Sequence, residues 1–137
     1  MPEIWLIGLI AGLAATVVMT VMMKMVMGSE PGLPQLLVGK VMGKSPSEVM
    51  MPAMVGHFSY GLGAGVIGMY LFELAGITWP FVFWGLIWGF VLALGAMMQV
   101  MAFGMIGMVK ENPKMPMMVI VMHLVWGLVF GGVVTLF

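Results

Sequence analysis

The 137-residue sequence contains no cysteine, no aspartate and no arginine. Without cysteine, the chain has no disulfide, thiolate nucleophile or cysteine-ligated metal of its own. Its charges are five lysines and five glutamates, 7% of the residues, against about 25% in a soluble domain. The net charge is zero, so no basic surface invites nucleic acid. Catalytic groupings are equally sparse. Ser29, Ser45, Ser47 and Ser59 form no G-x-S-x-G, no two carboxylates are spaced for acid–base work within an apolar block, and no glycine-rich phosphate loop follows a strand. The expectation is a non-enzyme.

What is present is apolar: 63% of the residues are hydrophobic. They fall into four blocks, each reaching the ~20 residues that cross a bilayer. The expected architecture is all-α, an integral membrane four-helix bundle in one transmembrane domain over 1–137. Helices are expected at about 4–27, 53–77, 80–109 and 117–137, with a short interfacial helix at 33–43 and Pro34 in its first turn. The first block lacks a basic n-region and is long for a signal peptide, so it reads as a retained span. Ser47 is a candidate N-cap for the second span, and "VKENPKMP" reads as a plain polar turn. Lys24, Lys40, Lys44, Lys110 and Lys114 share one side, whereas Glu3 and Glu73 lie on the other. The positive-inside rule makes the lysine side cytoplasmic and turns both termini outward.

The chain repeats itself. "GLIAG" at Gly8 to Gly12 matches "GLIWG" at Gly85 to Gly89, and "HFSYGLGAG" at His57 matches "HLVWGLVFG" at His123. Spans one–two and three–four thus read as two pseudo-repeated hairpins. The first connection is longer: 49 residues separate Gly8 from His57, and 38 separate Gly85 from His123. Each span carries a Gly-x-x-x-Gly pair, Gly8/Gly12, Gly61/Gly65, Gly85/Gly89 and Gly127/Gly131. Such pairs let helix backbones approach closely in lipid.

Methionine is polarised the opposite way. Of 20 methionines, only Met1 and Met69 fall toward the side away from the lysines. The remainder include i, i+4 pairs in all four spans: Met19/Met23, Met50/Met54, Met97/Met101 and Met118/Met122. Flexible thioethers fill space where helices splay, face lipid or partners, or supply soft ligands for Cu(I). The two histidines sit about 6 and 9 Å inside the expected starts of their helices. Each is spaced i, i+4, i+8 with its glycine pair, so both should point into the bundle.

Three uses of His57 and His123 follow. Each imidazole can hydrogen-bond across a helix interface to a carbonyl, a threonine, Ser59 or Gln99 and fix register. The pair can bracket a haem b iron across a bundle diagonal of roughly 11–14 Å, with Gly61, Gly65, Gly127 and Gly131 admitting the porphyrin. A copper site would draw on His57, His123, Met54, Met122 and Met101. Gln99 and Thr20, polar and deep in their spans, leave an oligomeric small-solute or ion transporter as another class, although no intramembrane carboxylate supplies a proton relay.

The phrases "GLIAGLAATVVMT", "LPQLLVGKVMG", "GHFSYGLGAGVIG" and "MHLVWGLVFGGVV" resemble a family of small four-helix prokaryotic membrane proteins described only as a domain of unknown function. The resemblance implies a multi-pass protein of the prokaryotic inner membrane and no particular activity. The expected function is a small non-catalytic accessory or structural subunit. Its partners would be the bilayer and either other membrane subunits or further copies of itself.

Overall fold

The computed structural model describes residues 3–137 and is all-helical there, with no strand among the described residues. Met1, grouped with Met69 by sequence, lies outside the described residues. Six helices follow one another: α1 (Ile4–Met27), α2 (Leu33–Met42), α3 (Met50–Leu74), α4 (Phe81–Ala102), α5 (Ile106–Glu111) and α6 (Lys114–Val134). Of these, α1, α4 and α6 are long and apolar enough to cross a membrane. Helix α3 is as long, at 25 residues, but five glycines together with His57, Ser59 and Tyr60 dilute its hydropathy.

Several helix ends differ from the sequence expectation, and each difference has a local cause. The chain leaves α3 at Leu74, three residues early, because Gly76 adopts φ 66°. Its N–H donates to Glu73 O (2.9 Å), and Ile77 N–H donates to Phe72 O (2.8 Å). This is the paired Schellman closure. The same closure ends α4 at Ala102 rather than at 109. Gly104 has φ 68°, with Gly104 N–H on Met101 O (3.0 Å) and Met105 N–H on Val100 O (2.9 Å). The expected polar turn is therefore partly helical, since "VKE" belongs to α5.

Helix starts move the other way. Pro52 and Pro116 each stand third in their helices, so α3 begins at Met50 and α6 at Lys114. First-turn N–H groups have no intrahelical partner, and proline is tolerated there. Ser47 is not the cap of α3; Val49 precedes the helix. Instead Glu48 closes the preceding turn, accepting from Ser45 N–H (2.9 Å) and Ser45 Oγ–H (2.5 Å). These two donors hold the Glu48 carboxyl below the usual carboxylate range.

The long helices pack in the order α3, α1, α6, α4, with α2 laid on α3 and α5 against α6. The expected glycine faces meet each other. A Cβ at Gly12 would stand 2.7 Å from Gly61 O, and one at Gly8 would stand 2.7 Å from Val66 Cα. Likewise a Cβ at Gly89 would stand 3.1 Å from Gly127 Cα, and one at Gly131 would stand 2.7 Å from Val82 Cα. Real Cβ atoms do not come within 3.0 Å of such neighbours. Both helix pairs, α1/α3 and α4/α6, therefore approach antiparallel to backbone contact in the half away from the lysines. Aromatic side chains occupy the middle of that half. Trp126 stacks on Phe130 at 5.0 Å, and Phe72 meets Phe130 edge-on at 5.9 Å. Trp88 of α4 lies over Gly68 and donates from Nε1 to Ala64 O of α3 (3.0 Å), tying the two outermost helices together.

Candidate ligand cavity

Where the glycines stop, the helices separate. In the half carrying the lysines, the four long helices surround a partly open cavity of about 1150 Å³. Small-molecule sites occupy roughly 300–1,000 Å³, so this space is of the size of a ligand site. Its floor is built by a hydrogen-bond relay. Trp126 Nε1–H donates to Thr16 Oγ1 (3.0 Å), and Thr16 Oγ1–H donates to Gly12 O (2.7 Å). Thr16 is fully buried and Trp126 is 2% exposed, so the floor has no unsatisfied polar atom. The walls are apolar and rich in thioethers, with Met19 and Met23 from α1 and Met118 and Met122 from α6. Helix α4 contributes Leu92, Ala96 and Gln99. The mouth carries Glu30, Glu111 and Lys114, with α2 and α5 on its rim.

Both histidines line this cavity. They stand seven and nine residues into their helices, about 10 and 14 Å from the helix starts, deeper than expected. Their hydrogen bonds differ. His123 Nδ1–H donates to Val119 O (2.8 Å); a carbonyl only accepts, so the proton sits on Nδ1 and Nε2 keeps its lone pair. Thr20 Oγ1–H is committed to Thr16 O (2.7 Å), so its oxygen accepts from His57 Nε2–H (3.1 Å) and leaves Nδ1 with the lone pair. Every fully buried side-chain nitrogen and oxygen among the described residues has a partner. His123 Nε2 and His57 Nδ1, which have no such partner, are therefore not fully buried, and both residues line the cavity.

The sequence-derived site residues divide. His57, His123, Met122 and Gly61 border the cavity. Gly65, Gly127 and Gly131 do not, because backbone of α1 or α4 already fills the place a porphyrin would need. In the structure these three glycines lie at helix contacts. Of the two histidines, His57 has its Nε2 held by Thr20. Met54 and Met101, named as copper ligands from the sequence, lie apart from the other members of that set. Neither borders the cavity, and Met101 is 59% exposed on another face of α4. Gln99 borders the cavity. The sequence did not single out Thr16 or Trp126 as site residues, and Met19, Met23 and Met118 entered only as members of the methionine pairs offered as soft ligands. The pattern that finds the α1 members is the continuation of its glycine stripe, Gly8, Gly12, Thr16, Met19 and Met23, down one helix face.

The short helix α2 is fixed beside the mouth by Gln35. Its Oε1 accepts from Gly32 N–H (3.1 Å), and its Nε2 donates to Pro46 O (3.3 Å). Among the described residues, no three of histidine, cysteine, aspartate and glutamate come together, so a site of the zinc or calcium type is not assembled. The chain matches no family model, no curated protein and no solved structure.

Proposed function

We propose that this chain is a small non-catalytic integral membrane protein that holds a ligand in the cavity between its helices. In this proposal α1, α3, α4 and α6 cross the bilayer as a four-helix bundle of two repeated hairpins, like the uncharacterised family its phrases resemble. Helices α2 and α5 lie at the interface, and the lysine-bearing end faces the cytoplasm of a prokaryotic cell. The repeat is supported by the shared register of the two glycine contacts, Gly12 against Gly61 and Gly89 against Gly127. The orientation is supported by the gathering of all five lysines at one end.

One observation carries the ligand-binding role: the cavity is large and mostly apolar, and it has two imidazole nitrogens without protein partners on its wall. A bundle whose only task is to fill space has no need of such a void, whose lining forfeits dispersion contacts. The accessory-subunit expectation rested on the small extramembrane mass, the lack of a catalytic set and glycine faces suited to close packing. All four glycine faces are occupied within the chain, and the third of these supports is gone.

The absence of cysteine gives a clean background for a test. In proteoliposomes of known orientation, Gln99→Cys should react with a membrane-impermeant maleimide added on the lysine side. Leu94→Cys, 48% exposed outside the bundle, should stay unlabelled. A silent Gln99→Cys means that no ligand reaches the cavity from that side, and the accessory reading returns. Labelling of Ser47→Cys from the opposite side would reverse the proposed orientation.

A further inference from the structure

The cavity wall brings together donors that the chain places on three different helices. Met19 and Met23 are one turn apart on α1, and Met118 and Met122 are one turn apart on α6. Helices α1 and α6 pack directly against each other. Met19 and Met122 belong to one buried cluster, with Met23 and Met118 packed on it. His123 adds Nε2 from α6, and His57 adds Nδ1 from α3, both without protein partners. We infer that these four thioethers and two imidazoles form a binding site for a soft monovalent cation, namely Cu(I). The inference rests on the ligand-binding role proposed above and names its ligand.

The donor chemistry selects the ion. Thioether and neutral imidazole suit Cu(I), whereas oxygen anions suit magnesium, calcium and manganese. The carboxylates nearest the site, Glu30 and Glu111, stand at the mouth. A zinc site of three or four histidine, cysteine or carboxylate ligands is not assembled among the described residues. All six donors are neutral, so the ion binds without proton release and without change of oxidation state.

The arrangement of His123 also fits ligation. A metal-binding imidazole usually donates its other N–H to a carbonyl or carboxylate, which fixes the ring and raises its basicity. His123 already does this through Nδ1 to Val119 O at 2.8 Å. Methionine has three rotatable bonds, so its sulfur can swing toward an ion while the helices stay in place. Space-filling alone explains why methionine lines a splayed region. It does not explain why two imidazole nitrogens on the same wall are left without partners.

The test uses the full chain in nanodiscs, anaerobically, with Cu(I) competed against a chromophoric chelator. The expected result is one Cu(I) per chain, with X-ray absorption showing both sulfur and nitrogen neighbours. Replacing Met19 and Met122 together by leucine conserves volume and should lower the affinity at least tenfold. His123→Phe should lower the nitrogen scattering, and His57→Phe with His123→Phe should remove it. Met98→Leu with Met101→Leu, on the exposed face of α4 (69% and 59% exposed), should change nothing. The proposal is overturned if the wild type retains no Cu(I) against the chelator. It is also overturned if Met19→Leu/Met122→Leu binds as tightly, or if the exposed pair matters equally. Failure of Cu(I) with Gln99→Cys still labelled removes this ion and leaves the cavity reading standing. Failure of both removes the two together.

Discussion

Gly127→Ala measures how tightly α4 and α6 are fitted. On the α6 backbone, the added Cβ would lie 2.9 Å from Gly85 C and 3.1 Å from Gly89 Cα, with Gly85 O closer still. All three neighbours are main-chain atoms of α4, so no side chain can swing aside and the two helices must separate. A gap of 0.5–1 Å already forfeits about a quarter to a half of each dispersion well along the contact. Inserting one methyl into a fitted interior costs about 1–3 kcal/mol. Alanine would recover about 1 kcal/mol over glycine in a helix that forms from coil. In detergent the separated helices remain helical, so little of that is regained.

Gly132→Ala is the matched control. It lies on the same helix one residue after Gly131, and an added Cβ there meets nothing within 4 Å. Reversible unfolding in mixed micelles with rising sodium dodecyl sulfate, followed by tryptophan fluorescence, gives both values. Gly127→Ala should lose about 1–3 kcal/mol, and Gly132→Ala should stay within about 0.5 kcal/mol of wild type. If the two variants unfold together, the α4/α6 contact is looser than the structure shows and the close-approach reasoning is wrong.

Three further outcomes follow from single contacts. Trp126→Phe keeps the stack on Phe130 but removes the donor to Thr16; the same unfolding assay should show a loss of about 0.6–2 kcal/mol, the range for hydrogen bonds between membrane helices. Gly104→Ala forces a side chain into φ 68° at a cost of about 1–2 kcal/mol, and amide exchange at Met105, whose N–H closes on Val100 O, should speed up accordingly. Glu48 has its carboxyl lowered by the Ser45 donors, so its turn should be fully held above the ordinary carboxylate range and released as pH falls through the lowered value. Exchange at Ser45 N–H against pH should show that transition, and Glu48→Gln should abolish it.

Hydropathy made α1, α4 and α6 plain in the sequence, because a long apolar run leaves few alternatives. The stops inside apolar text were harder. Gly104 sits among "AFGMIG" with no polar neighbour, so nothing but its backbone freedom announces the end of α4. In a soluble protein a loop is polar because water faces it, and that cue is missing here. The reverse error at Pro52 and Pro116 came from treating proline as a boundary when it belongs to a first turn. Glycine spacing told which faces pack, but not what covers them. The occupant proved to be the sister helix in each pair, which withdrew Gly65, Gly127 and Gly131 from the cavity. The inward direction of His123 was legible from its glycine register, and the residue is 7% exposed. Its asymmetry with His57 was not, because it depends on Thr20 of another helix.

The two halves of the bundle bear on each other. Helices that touch at backbone distance near one end, and cross at an angle, must diverge toward the other. The glycine contacts at Gly12/Gly61 and Gly89/Gly127 therefore act as fulcrums, and the space around His57 and His123 is where the arms open. Branched side chains of fixed shape would either jam such a wedge or leave it empty. Methionine can extend or fold to follow its width, which accounts for the pairing of glycine at one end with methionine at the other. It follows that the shape of the cavity is set by residues that do not border it. A change at Gly89 or Gly127 that spreads α4 from α6 should alter ligand retention even where the donors themselves are untouched. Substitutions on the outer faces, at Leu94 or Val91, should not. In the proposed ligand-binding reading, residues at the fulcrum therefore matter to binding as much as the imidazoles do.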